Sequence, residues 1–309
     1  MNKKTLLFTV VLILVIGLSA LFFKKDSLQE QNKPFILCTT SIIGDTIQQI
    51  VGDTAQVYCL MGPGIDPHLY KAREGDLHRL ANAAIIFYNG LHLEGKMAHV
   101  LHQMNHYTPS IALSDALSTT SLLQTEVDGI YDPHIWHDVI LWVDIVKYAT
   151  ACLCKQWPEH ADIYNQNAQV VCNRLSDLDQ YVRKQLSTID ASKRILVTAH
   201  DAFSYFGKRY GMEVVGLQGV STDAEISTGA IQDLVAYLVD KQIHAIFIES
   251  SIPKRSIQAV HNAAAARNWY VTIGQELYSD ALGDADSDAH TYYAMIRHNV
   301  DAIVQALTA

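Results

Sequence analysis

The sequence predicts an α/β protein of two lobes, each a parallel sheet flanked by helices, joined by one long helix. Three observations predict it. Short apolar runs alternate with helix-like segments in the first part of the chain, the same alternation returns after residue 190, and an uninterrupted amphipathic stretch of about 30 residues separates the two. The chain has 309 residues, enough for two domains of ordinary size, with 49% hydrophobic and 18% charged residues. That composition indicates globular cores and excludes a disordered or low-complexity chain.

Residues 1–25 stand apart. Lys3 and Lys4 precede an uncharged run from Thr5 to Phe23, and Lys24 and Lys25 follow it. This reads as an export signal or as a retained N-terminal membrane anchor. Small residues at Gly17-Leu18-Ser19-Ala20 suit cleavage. No cysteine directly follows the run, which argues against a lipid-modified terminus. Removing the four lysines takes the formal charge from −9 to −13. An acidic exported protein is a poor candidate for nucleic-acid binding and a reasonable one for handling cations. The expected location is periplasmic, and the expected state is a monomer.

The N-terminal lobe, residues 26–157, opens with a strand at Phe35–Thr39 and a helix capped by Ser41, with Ile43, Ile47, Ile50 and Val51 on one face. Gln56–Leu60 is a second strand, ended by Gly62-Pro63-Gly64. Asp66-Pro67 is expected to start a helix through Leu77, Leu80 and Ala81. Ala84–Tyr88 is a third strand and Ile111–Leu113 a fourth. The connecting helix, within residues 158–189, carries apolar residues at Tyr164, Ala168, Val171, Leu175, Leu178, Val182 and Leu186, steps of three and four. The C-terminal lobe, residues 190–309, has strand-like runs at Arg194–Ala199, Glu213–Leu217, Ala245–Glu249 and Tyr270–Ile273. A closing helix spans Ala289–Leu307.

Four residues carry the chemistry. His68, His134, His200 and Asp280 lie in four separate segments, most of them placed like the end of a strand. Three neutral imidazoles and a carboxylate make a complete ligand set for one divalent transition-metal ion. In open parallel sheets, ligands bind beyond the carboxyl ends of strands, so two facing sheets can bring the four together in the interlobe cleft. Asp66, Asp132 and Asp201 each lie within two residues of a candidate ligand. They read either as acceptors for the second imidazole nitrogen or as plain helix caps. His137 competes with His134. His99, His102 and His106 share a helix face that suits solvent better than a metal. Cys38, Cys59, Cys152, Cys154 and Cys172 lack zinc-site spacing, and a Cys38–Cys59 bridge is left open.

Several of these segments resemble the metal-binding substrate-binding proteins of ABC transporters, the TroA-like group for manganese and zinc. The stretches are Met61–Tyr70, Phe87–Glu94, Asp132–Trp136, His200–Phe206, Gly216–Thr222 and Phe247–Ser251. The resemblance runs from about Phe35 to Leu307. It implies one metal ion, Mn2+ or Zn2+ with Fe2+ as a third candidate, carried as transported ligand between the lobes and delivered to a membrane permease for import. It places the ligands on His68, His134, His200 and Asp280. Ser114–Glu126 contains no histidine, unlike the long loop of the strict zinc specialists, and in Glu225-Ile226-Ser227 an isoleucine replaces the proline of the usual Glu-Pro-Ser. Two other functions remain to be weighed. A metallohydrolase would need an open coordination position and a general base, and the chain has neither His-Glu-x-x-His nor Gly-x-Ser-x-Gly. A surface adhesin, with a role in cell adhesion, would need a partner-binding patch.

Overall fold

The computed structural model describes residues 33–308. The signal or anchor expected within residues 1–25 lies outside them. Among the described residues no helix is long and apolar enough to cross a membrane.

The first half is built on four parallel strands: β1 (Phe35–Thr40), β2 (Gln56–Met61), β3 (Ile85–Tyr88) and β4 (Ser110–Ala112), in the order β2-β1-β3-β4. Helix α1 (Ser41–Val51) leaves β1 directly. Its cap is Thr40, whose hydroxyl accepts the Ile43 N–H. Ser41, the expected cap, instead accepts the Leu282 N–H from the far half of the chain. Helix α2 is shorter than expected, Glu74–Asn82. Residues 66–73 form no helix, only a turn at 67–69, and the Asp66 carboxylate is engaged elsewhere. Asp76 starts the helix by accepting the Arg73 N–H. Helix α3 (Ala98–Met104) precedes β4. Helix α4 (Val139–Gln156) follows it, capped by Asp138 through the Ile140 and Leu141 N–H groups.

Helix α5 (Ala161–Leu186) is the long element. Its 26 residues span about 39 Å at the standard rise. All seven apolar positions read from the periodicity are buried. The second half then carries β5 (Ile195–His200), α6 (Ser204–Tyr210), β6 (Glu213–Gln218) and α7 (Thr228–Asp240). After these come β7 (Ala245–Ile246), α8 (Arg255–Ala266), β8 (Thr272–Ile273) and the closing helix α9 (Tyr292–Thr308). Strand β5 pairs with β6, and β7 with β8, both in parallel. The Phe247 N–H donates to Val197 O and lays β7 beside β5. Strands β7 and β8 are shorter than their apolar runs, and past Ile246 pairing resumes only at Glu249–Leu277.

The largest core is continuous across both halves. Ile47, Trp142, Leu178, Phe206, Phe247, Tyr292 and Ile303 belong to one buried cluster. Helix α9 returns to the first half, where the Tyr292 N–H donates to Asp45, its hydroxyl donates to Trp136 O, and its ring stacks on Trp142. The lobes are therefore joined by far more than one helix. All five cysteines are free thiols. Cys38 and Cys59 face each other across the β1–β2 ladder without a bridge. The Cys59 sulfur fills the space beside Gly44, where an added Cβ would lie 2.0 Å from it.

Candidate metal centre

Each of the four predicted residues sits at or beside the end of an element, and all four meet at the same place. His68 sits in the loop after β2. His134 precedes a single helical turn (Ile135–His137) that leads into α4. His200 is the last residue of β5. Asp280 lies in the loop after β8. All four are buried, His134 and His200 completely. Each offers a ligand atom within 4.8 Å of the others. The His134 Nε2 lies 3.2 Å from His68 Nε2 and 3.3 Å from His200 Nε2. Asp280 turns one oxygen to His134 Nε2 at 3.6 Å and the other to His200 Nε2 at 3.4 Å.

Those separations have a chemical meaning. His134 Nδ1 donates to Asp132 Oδ1 at 2.7 Å, so its proton is on that nitrogen and Nε2 presents a lone pair. His200 Nδ1 lies 2.6 Å from Glu249 Oε2, which gives the neutral ring the same tautomer. With His200 neutral, two lone pairs and a carboxylate thus converge with no donor between them. Asp280 Oδ1 is buried without a hydrogen-bond partner. Buried acceptors that face one another are unfavourable unless a cation sits among them. A tetrahedral ion with bonds of about 2.0–2.1 Å has edges of about 3.3–3.4 Å, the spacing these nitrogens already hold.

The electrostatics follow from burial and from the three carboxylates around the rings. Burial, reinforced by the His134 imidazole, pushes His68 down to about 3. Burial also pushes His200 down, but Glu249 and Asp280 together outweigh it, and the net shift is well upward. Burial raises Asp280, and the three imidazoles, His200 foremost, more than offset it, so the carboxylate is held below its ordinary range.

The neighbouring aspartates divide in their roles. Asp132 orients the His134 ring and also accepts the His134 N–H at 2.9 Å. Asp66 accepts the His68 N–H, not its ring, and its other oxygen accepts the Thr222 hydroxyl. Asp201 accepts the Ser204 hydroxyl at the start of α6 and serves neither as a ring acceptor nor as the helix cap, a position that Phe203 occupies. The carboxylate that orients His200 is Glu249, which also accepts the His200 N–H at 2.9 Å. Sequence reasoning did not single out Glu249 as a site residue. The available signal was an acid closing the apolar run Ala245–Ile248.

His137 is not in the cluster. It is fully buried, donates from Nε2 to Ser279 O and packs at 4.3 Å on Phe203. Burial lowers its pKa to about 3. The Trp136 indole donates to the same Ser279 oxygen, so two side chains of the first half fix the backbone beside Asp280. His102 and His106 meet edge to face on the α3 side and contribute nothing to the centre. Gly216 is required beside it, because a Cβ there would lie 2.4 Å from the Asp201 nitrogen.

Comparison with known proteins gives concordant matches. The family described as zinc-uptake complex component A, periplasmic, matches residues 36–306. The zinc-binding protein TroA of Treponema pallidum is 43% identical over 291 residues, 94% of each chain. The manganese-binding lipoprotein MntA of Bacillus subtilis is 43% identical over 272 residues, 88% of this chain and 89% of that one. The solved structure of TroA from Treponema pallidum superposes with a TM-score of 0.88 at 44% identity, covering 89% of this chain and 99% of that one.

Proposed function

The chain belongs to the periplasmic zinc-uptake component A family, and on that premise we propose that His68, His134, His200 and Asp280 hold one divalent transition-metal ion as cargo. The protein is the substrate-binding component of an ABC importer. It captures Mn2+ or Zn2+ outside the cytoplasm and hands the ion to the membrane permease. The observation that supports the site assignment is the meeting of three imidazole Nε2 atoms with a buried carboxylate, one oxygen of which has no hydrogen-bond partner.

The residues suit capture better than turnover. Four ligands close a tetrahedral shell and leave no position for an activated water. The adjacent carboxylates Asp132 and Glu249 are spent on imidazoles, so neither serves as a general base. Both oxygens of Asp280 face the site, which supports four-coordinate Zn2+ or a higher coordination for Mn2+. We take residues 26–157 and 190–309 as the lobes and 158–189 as the connecting segment. We take the working form as a periplasmic monomer, anchored or released according to the fate of residues 1–25. The test is the metal content of protein isolated from its native compartment. One equivalent of Mn2+ or Zn2+ per chain supports the reading, and metal-free protein with a bound organic substrate overturns it.

A further inference from the structure

The four ligands are not held equally. His134 and His200 each have a carboxylate on Nδ1. The backbone beside Asp280 is fixed by Trp136 and His137 through Ser279 O and by the nearby bond from Leu282 N–H to Ser41. His68 sits in a segment without helix or strand from Gly62 to Arg73, flanked by the exposed side chains Ile65 and Leu69. Its position depends on Asp66. One oxygen of that carboxylate accepts the His68 N–H at 2.9 Å, and the other accepts the Thr222 hydroxyl at 2.6 Å.

Thr222 belongs to the opposite lobe, in the loop between β6 and α7. The loop is almost free of other cross-lobe ties. Its neighbour Asp223 pairs with Lys96 at 2.7 Å, but both are exposed, so that pair holds weakly. Cavities lie on both sides of the loop. One of about 810 Å3 is lined by His68, Leu217, Gly219 and Ser221. The other, of about 480 Å3, is lined by Asp66, Leu69, Thr222 and Ile252. A strap with open volume on either face can shift without repacking the core, whereas the rest of the interface between the lobes is closely packed.

We infer that Thr222 and Asp66 form a latch that couples this strap to the His68 imidazole and sets how long the ion stays bound. The inference rests on the ligand assignment proposed above. Thr222 is a positioning residue: it touches no ligand atom, and it acts through the Asp66 carboxylate on the His68 backbone. When the hydroxyl bond opens, Asp66 loses its tie to the second lobe. His68 is then the ligand free to leave first, while the other three stay in place.

The experiment measures the rate of Zn2+ loss to excess chelator from loaded protein, for Thr222→Val and Thr222→Ser, each with and without His68→Ala. Losing this part-buried hydroxyl bond should speed dissociation by about fivefold to tenfold in T222V. T222S should restore the wild-type rate. In the H68A background, T222V should add nothing, because the coupling passes through His68. A T222V rate equal to wild type, or the same T222V acceleration in the H68A background, would overturn the latch. If H68A itself leaves dissociation unchanged, the ligand assignment fails instead.

Discussion

Glu249 Oε2 lies 2.6 Å from Nδ1 of His200, a contact between fully buried side chains 49 positions apart in the chain. With Asp280 on the other nitrogen, it holds His200 well above the ordinary histidine range against the opposing effect of burial. Metal-free protein therefore keeps the His200 proton to higher pH than an ordinary histidine would, and where that proton is present an incoming ion must displace it. His68, lowered to about 3, has none to lose between pH 5 and 8.

The first prediction concerns pH. From residue types alone, three histidines would each compete with metal and give a steep acid profile. With His200 raised and His68 lowered, these two contribute one displaced proton between them. Below the raised pKa of His200, Zn2+ affinity should fall with pH, and less steeply than three titrating histidines would require. Glu249→Gln removes one of the charges that raise His200 and should flatten the profile near neutral pH. Affinity measured from about pH 5 to 8 checks this. A slope near three, or an unchanged profile in E249Q, contradicts it.

His134→Ala should weaken metal binding by at least about 100-fold, more than loss of an outer partner costs. His137→Ala should cost less than tenfold in affinity. It should instead lower stability by about 2–3 kcal/mol, because it removes a buried ring packed on Phe203. Paired metal titrations and denaturant melts separate the two effects. Equal losses of affinity would mean that the wrong histidine has been assigned.

Lobe rotation on metal release should be small. Tyr292 to Asp45, Trp136 to Ser279 and Leu282 to Ser41 all cross between the halves, and one buried cluster runs through both. Motion should concentrate in the His68 loop and the strap carrying Thr222. Small-angle scattering of metal-free and loaded protein should give radii of gyration that agree to within about 1 Å, against a domain-scale radius of roughly 20 Å for this length. A large compaction on loading contradicts the shared core.

Gly44→Ala should destabilise the protein by about 1–3 kcal/mol without changing metal affinity, since the new methyl would overlap the Cys59 sulfur. Adding Cys59→Ala should recover part of that loss. Denaturation midpoints of the two variants decide it. A G44A protein as stable as wild type would mean that the contact between α1 and β2 is loose.

Much of this was legible from residue order. The 3.6-residue period located α5, and all seven apolar positions it named are buried. The four residues of the buried cluster could be singled out because His68 and His134 follow prolines, His200 closes an apolar run and Asp280 follows the last strand, where a parallel sheet presents its residues. Glu249 could not be assigned, since its partner is 49 residues away and only the laying of β7 beside β5 brings them together. The start of α2 was misplaced for a related reason. Asp66-Pro67 reads locally as a helix start, but a hydroxyl from residue 222 and the His68 amide occupy its carboxylate. Ser41 was likewise drawn to Leu282, leaving Thr40 as the cap. Side chains diverted to distant partners are the part a local reading misses.

The central claim is one ion held by His68, His134, His200 and Asp280. Its most direct test is titration of metal-free protein with Zn2+, counting tight equivalents in wild type and in the four single alanine variants. One equivalent in wild type, with the tight phase weakened or lost in every variant, is the predicted result. Two equal tight sites, or a variant of any of the four that binds as wild type does, would contradict it.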